Sequence, residues 1–184
     1  FDVIVHDDAS TDNTASIIRE YEKKYPDIIK PIYEKENQYA HPGSLDKIMD
    51  NAAKDYKYVA ICEGDDYWTD PYKLQKQISF LEKHLEYSMC CSNAIIVTPN
   101  GEKDWSISKN DIDLKIEDLI KKGGLYIATA SIVYRREVKD DYPEYCKKSR
   151  ILALFVNVTY FFIVSICSST VKGLSLANFT PPDR

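Results

Sequence analysis

Short apolar runs alternate with amphipathic stretches from Phe1 to Arg135. Val3, Ile4 and Val5 form a β-branched run that stops at His6-Asp7-Asp8, which predicts a first strand over Phe1–Val5. Ala9-Ser10-Thr11-Asp12-Asn13 then offers cap residues in succession, and Ile17, Ile18, Tyr21 and Tyr25 mark one side of a helix closed by Pro26. Ile28–Tyr33 predicts a second strand. Pro31 argues for an edge position or a break, because proline donates no ladder bond. After a loop over Asn37–Gly43, Leu45, Ile48, Met49, Ala52 and Ala53 recur at helical spacing.

Tyr58-Val59-Ala60-Ile61-Cys62 predicts a buried strand that breaks off into Glu63-Gly64-Asp65-Asp66-Tyr67-Trp68. Asp70 as cap and Pro71 as first helical residue predict the next helix, with Leu74, Ile78, Leu81 and Leu85 as its core stripe. Met89–Val97 reads as a further strand, Pro99-Asn100-Gly101 as a turn, and Asp111–Lys122 as a short helix ended by Gly123-Gly124. Tyr126–Tyr134 reads as a last strand, left through Arg135-Arg136-Glu137. Strands alternating with helices predict an α/β sandwich around a mostly parallel central sheet. Ligands of such sheets gather beyond the carboxyl ends of the strands, where Asp7, Asp8, Asp65 and Asp66 all fall.

From Ile151 the pattern changes. Ile151–Val171 carries no charge, and residues 151–184 contain only Lys172, Asp183 and Arg184 as charged groups. This divides the chain into a domain over 1–150 and an atypical apolar tail over 151–184. The tail just reaches the roughly 20 residues of a membrane span. Three readings stay open for it: a membrane-spanning or membrane-dipping segment, a buried strand pair, or an out-of-frame stretch. Val156, Val158, Thr159, Ile163 and Val164 are β-branched and weigh against a helical hairpin.

Composition narrows the function. The 184 residues fit one ordinary domain, and a net charge of -5 with no basic patch argues against a nucleic-acid groove. Cys62, Cys90, Cys91, Cys146 and Cys167 are an odd set without metal-ligand spacing, which points to a reducing cytoplasm rather than a disulfide framework. Phe1 opens directly inside an apolar run, with neither an initiator methionine nor a signal-peptide profile, so a piece of a longer protein is expected.

The candidate chemistry lies in the acids. Two neighbouring carboxylates in a cleft repel by roughly 4 kcal/mol at 4 Å and an effective dielectric near 20. A hard divalent cation relieves that repulsion, and Mg²⁺ takes one or two carboxylates together with phosphate oxygens. A solvated acidic turn is the plain alternative.

Val3-Ile4-Val5-His6-Asp7-Asp8-Ala9-Ser10-Thr11-Asp12-Asn13-Thr14, followed by Cys62-Glu63-Gly64-Asp65-Asp66-Tyr67-Trp68, resembles the inverting family 2 glycosyltransferases of the GT-A fold, in particular bacterial enzymes of capsule, O-antigen and other surface polysaccharides. The resemblance covers about Phe1–Arg150. It implies transfer of a sugar from a nucleotide-diphosphate donor, UDP-sugar foremost, to a glycan or lipid-linked acceptor hydroxyl. It further implies that Asp8 binds the base, that Asp65 lies by the ribose or a metal-bound water, and that Asp66 ligates Mn²⁺ or Mg²⁺, with Asp65 beside it. Asp7 and Lys47 complete the implied donor-binding set, although a solvated lysine and a turn-capping aspartate are the simpler roles for these two. Glu63 reads as a supporting acid or a plain strand-end charge, His6 as a packed or surface imidazole rather than a base, Tyr67 and Trp68 as packing beneath the site, and Thr129 and Ser131 as strand residues.

Two features depart from the family. Its usual first strand and helix, with their nucleotide-gripping motif, are missing. Its general base, an aspartate expected soon after Tyr145-Cys146-Lys147-Lys148, has no counterpart in Ile151–Val171, and Asp140, Asp141 and Glu144 precede that place. No catalytic base is therefore named, and this chain is expected to transfer sugar poorly where a longer parent would transfer it well. The implied location is the cytoplasm, or peripherally at the cytoplasmic face of the membrane. A receiver-type Mg²⁺-binding signalling domain and a catalytically silent nucleotide or metal-binding module are the competing classes.

Overall fold

The computed structural model describes residues 1–38, 41, 44–115, 118, 121–122, 126–139 and 161–166, the last of these by backbone course. β1 (Asp2–Asp7), α1 (Thr14–Lys24), β2 (Ile29–Tyr33), α2 (Ser44–Ala53), β3 (Tyr58–Glu63) and α3 (Lys73–Lys83) follow in order. β4 (Met89–Cys90), a hairpin of β5 (Ala94–Thr98) and β6 (Gly101–Trp105), β7 (Val133–Arg135) and β8 (Phe161–Ile166) complete the strands.

Six strands form one sheet in the order β2-β1-β8-β3-β7-β4, while β5 and β6 stand apart as a two-stranded sheet. The mostly parallel sheet of the sequence reading needs correction, because β1 with β2 is the one parallel pairing among the described strands. β8 runs antiparallel to both β1 and β3, and β7 runs antiparallel to β3 and β4. Two of the six strands, β8 and β7, are thus inverted, and β2, β1, β3 and β4 still point the same way. That shared direction is what the acidic site depends on. β2 lies at the edge, as Pro31 requires, with Pro31 opposite Val5.

Both faces of the sheet are covered. Val3 and Val5 of β1 and Tyr58 and Ala60 of β3 pack with Ile18 of α1, Ile78 and Leu81 of α3 and Val133 of β7. Ile4 and Val59, pointing the other way, pack with Met49 and Ala53 of α2. The period of two along each strand therefore serves two cores, and the helical stripes serve one each.

Several local expectations shift. α3 begins at Lys73 rather than Pro71, since Asp70 Oδ1 accepts the Tyr72 amide at 2.8 Å and its carbonyl accepts the Lys73 amide at 3.1 Å, spending Pro71 in the preceding turn. Leu85 falls beyond the end of α3 and is exposed, so the core stripe ends at Leu81. The strand expected over Met89–Val97 is broken between β4 and β5, and β6 adds a hairpin partner that was not foreseen. The turn at 99–101 is present, with Gly101 at φ +120, a conformation glycine tolerates best. Tyr126–Tyr134 is mostly not a strand: Ser131 Oγ donates to the Ala128 carbonyl at 2.6 Å, folding Thr129–Ser131 into a 3₁₀ turn before β7. The helix expected over Asp111–Lys122 does not start at Asp111, and its remainder lies largely outside the described residues.

Arg135 ties three elements together. Its Nε donates to the Tyr87 carbonyl at 2.9 Å, Nη1 to the Tyr58 hydroxyl at 3.0 Å, and Nη2 to the carbonyls of Leu81 and His84 at the end of α3. A buried guanidinium on these carbonyls satisfies acceptors that a helix C-terminus leaves open and complements its dipole. Arg135→Met should lower stability by about 3 kcal/mol, because several buried acceptors lose their donor at once. Arg135→Lys should recover only part of this, since one ammonium cannot reproduce the fork. Urea unfolding midpoints check both.

Candidate functional site

Because β1 and β3 point the same way, Asp8 and the Glu63–Asp66 turn leave the sheet at one edge, separated by β8. Two inter-strand steps put the strand ends about 10 Å apart. Ala9 follows Asp8 with φ +58, a left-handed conformation rare for alanine, and the turn it makes brings the Ser10 amide to Asp7 Oδ1 at 3.3 Å. Asp7 itself is buried. Buried and bonded to the Ser10 amide, Asp7 caps this turn, the simpler of the two roles weighed for it.

Asp8 has a different role. Its Oδ1 accepts the Gln38 amide at 2.6 Å, and its carbonyl accepts Asn37 Nδ2 at 3.3 Å. The adjacent Asp7 carbonyl accepts the Glu34 amide at 2.9 Å. The loop leaving β2 is thereby fastened to the loop leaving β1, and the Asp8 carboxylate is held in a fixed direction. His6 packs as expected, buried with Nε2 3.5 Å from Glu34 Oε1. Lys47 stands exposed in the first turn of α2.

The second acidic group is denser. Glu63 is the last residue of β3, 4% exposed, and its Oε2 has no hydrogen-bond partner among the described residues. Burial pushes its carboxyl up to about 7, and the nearby Asp66 charge adds to the rise while a Thr129 hydrogen bond opposes it. Asp66 is exposed as a residue, but its carboxyl is partly shielded from water and raised for that reason first and by Asp65 second. The Asp66 amide donates to the Glu63 carbonyl at 3.0 Å, closing the turn that gathers the three acids. Tyr67, expected to pack beneath the site, is instead exposed, whereas Trp68 does pack into the core and donates Nε1–H to the Ala130 carbonyl at 2.7 Å.

The donor set suits a hard divalent ion. Three carboxylates crowd one turn, one with an unpartnered buried oxygen, and no cation is paired with them in the described geometry. Among the described residues no group of three or more His, Cys, Asp or Glu side chains is arranged to enclose a metal by itself. One or two carboxylates completed by ligand phosphates is the arrangement Mg²⁺ ordinarily takes. Asp140, Asp141 and Glu144 lie outside the described residues.

Glu63 and Thr129 were undervalued by sequence. A glutamate closing an otherwise unbroken buried run was the available signal for the first. For the second there was none, because its approach to Glu63 depends on the 3₁₀ turn.

The family model described as Glycosyl transferase family 2 matches residues 1–142. An uncharacterised protein of Mycobacterium tuberculosis is 40% identical over 145 residues, 77% of this chain and 40% of the relative. The putative glycosyltransferase EpsE of Bacillus subtilis is 38% identical over 101 residues, 55% of this chain and 35% of the relative. The dTDP-rhamnosyl transferase RfbG of Shigella flexneri is 31% identical over 104 residues, 55% of this chain and 35% of the relative. The chain thus spans less than half the length of these curated relatives. No solved structure matches. The resemblance of the two acidic motifs is borne out over nearly its whole extent, and the receiver-domain alternative falls with it: the chain belongs to glycosyl transferase family 2.

Proposed function

We propose that this chain carries the donor-binding part of an inverting glycosyltransferase that takes a sugar from a nucleotide-diphosphate carrier, UDP-sugar foremost, and delivers it to a saccharide or lipid-linked hydroxyl. The observation that carries the reading is the shared edge of Asp8 and the Glu63-Asp65-Asp66 turn. The names of EpsE and RfbG support sugar transfer, and RfbG adds dTDP as an alternative nucleotide.

Each residue then has a task. Asp8, held by the Gln38 amide, accepts the ring N–H of the base. Asp66, with Asp65, holds Mn²⁺ or Mg²⁺ against the diphosphate. When bound, that ion acts as Lewis acid toward a leaving group that gains negative charge as the sugar bond breaks. Glu63 supplies further negative charge behind Asp66, and Lys47, exposed in the first turn of α2, meets phosphate. The acceptor's proton requires a base that none of the described residues is assigned. Work at the cytoplasmic side of the membrane fits a lipid-linked acceptor, and no described helix is long and apolar enough to cross a membrane.

Titration calorimetry with UDP tests the reading. Binding should need Mn²⁺ or Mg²⁺ and be at least about tenfold tighter for UDP or dTDP than for ADP, whose ring offers a carboxylate no imide N–H; the lost hydrogen bond to a charged acceptor is worth about 1.5–3 kcal/mol. Equal binding of all nucleotides without metal would remove the donor site. Donor binding without transfer to any acceptor would leave the silent module.

A further inference from the structure

Lys73 is out of place by every local rule. It opens α3, where the helix dipole disfavours a cation, and it is buried at 9% exposure. Its ammonium donates to Gln77 Oε1 at 2.8 Å and sits 4.6 Å from the centre of the Trp68 ring. A leucine would fill such a position at lower cost, so the charge has a purpose beyond packing.

The surrounding bonds indicate it. With Oε1 engaged by the ammonium, the Gln77 amide directs Nε2 to the Ser131 carbonyl at 2.8 Å and the Cys90 carbonyl at 3.1 Å. Trp68, under the same ammonium, donates to the Ala130 carbonyl. Two successive carbonyls of the Thr129–Ser131 turn are therefore gripped from α3 and from the acidic loop, and Thr129 of that turn reaches Glu63. We infer that Lys73 is a positioning residue which, through Gln77 and Trp68, braces the Thr129–Ser131 turn against the acidic edge and so sets the donor site. The brace is a matter of geometry alone, and only its service to the donor rests on the function proposed above.

The groups facing Lys73 are Trp68, Gln77, and the thiols of Cys62 on β3, Cys90 on β4 and Cys91 just after it. Burial lowers the ammonium to about 8. Burial raises Cys62 to about 12 and Cys91 to about 11, and raises Cys90 as well, so none of these thiols ionises near pH 8. Glu63 titrates about a unit lower. Among the groups facing it, Lys73 is therefore the one that loses charge near pH 8, while the uracil imide of a UDP probe also begins to ionise toward pH 9.

The experiment compares the full chain with Lys73→Met and Gln77→Glu, which keeps a partner for the ammonium but removes both amide donors. Hydrogen exchange of the Ser131 and Ile132 amides, whose bonds to Ala128 and Thr129 define the turn, should quicken about tenfold or more in both variants while β3 and α1 stay protected. UDP with Mn²⁺ should bind about tenfold more weakly to both, and the weakening above pH 8 should be smaller in Lys73→Met than in wild type, the remainder in both being the ionisation of the uracil imide. Unaltered exchange at 131–132 in two folded variants overturns the brace, and quickened exchange with undiminished UDP affinity overturns its service to the site. If wild type takes up no UDP and Mn²⁺ at all, the donor reading fails instead, and exchange alone decides the brace.

Discussion

Ile163→Pro should leave the chain without a cooperative unfolding transition. β8 stands third in the order of six strands, with Ile163 opposite both Ile4 of β1 and Ile61 of β3. A proline there removes a ladder donor, which is why proline is confined to sheet edges, strand starts and bulges. The loss does not stay local. β1 and β3 point the same way and do not pair with each other, so among the described strands only β8 links the β2-β1 half to the β3-β7-β4 half by ladder hydrogen bonds. Val3, Val5, Tyr58 and Ala60 are buried on these flanking strands, and losing β8 would leave their backbone polar groups both dry and unpaired. Against a total stability of about 5–15 kcal/mol, that combination is decisive. Near-UV circular dichroism and urea unfolding check it, with Ile163→Val as the control that should behave as wild type. A folded proline variant whose midpoint moved by less than about 1 kcal/mol would mean that β8 does not hold the two halves together.

The same strand shows where sequence reading stops. β1 and β3 were legible because Val3-Ile4-Val5 and Tyr58-Val59-Ala60 are uninterrupted apolar runs ending in acids, and of the edge position or break that Pro31 suggested for β2 the structure has the edge. The helical stripes through Ile18, Met49 and Ile78 were equally plain, because one face of each helix must be dry. β8 lies within a continuous apolar segment that carries no period, and its partners are more than ninety residues away, so neither its register nor its direction is encoded nearby. β6 was missed for the opposite reason: Glu102-Lys103-Asp104 is polar throughout, and only the turn at Asn100-Gly101 pairs it with β5. At the edge itself the carboxylates were legible as residue types after strands. What their environment does to Glu63, and what Lys73 does beneath them, depends on burial that no local pattern shows.

Asp66→Asn should make the free protein slightly more stable and roughly 10³-fold weaker, about 4 kcal/mol, toward UDP with Mn²⁺. The two signs have one origin. Without an ion, burial first and the Asp65 charge second raise Asp66, more than its hydrogen bond with Glu63 lowers it, and Asp66 adds to the burial that raises Glu63, so removing its charge relieves both burial cost and repulsion. With an ion, the same charge is the attraction that is lost, a trade between stability and function common at binding sites. The pH dependence follows from Glu63, which holds its proton to about 7 in the folded chain against 4.5 when exposed. Between those values the folded state binds more protons than the unfolded one, so the stability that Glu63 contributes is complete below pH 4.5 and is lost as pH rises to 7. Ion binding reverses this by favouring the carboxylate, so it should release up to one proton below pH 7 and strengthen up to tenfold per pH unit until it levels off. At pH 8 and about a hundred times the dissociation constant, UDP with Mn²⁺ should raise the wild-type melting temperature by roughly 5–10 °C. Asp66→Asn should gain almost none of that rise, while Asp12→Asn, in the exposed turn before α1, should gain all of it. An Asp66→Asn protein that still gained the full rise would place the ion elsewhere, and the reading of this acidic turn as its seat would be lost.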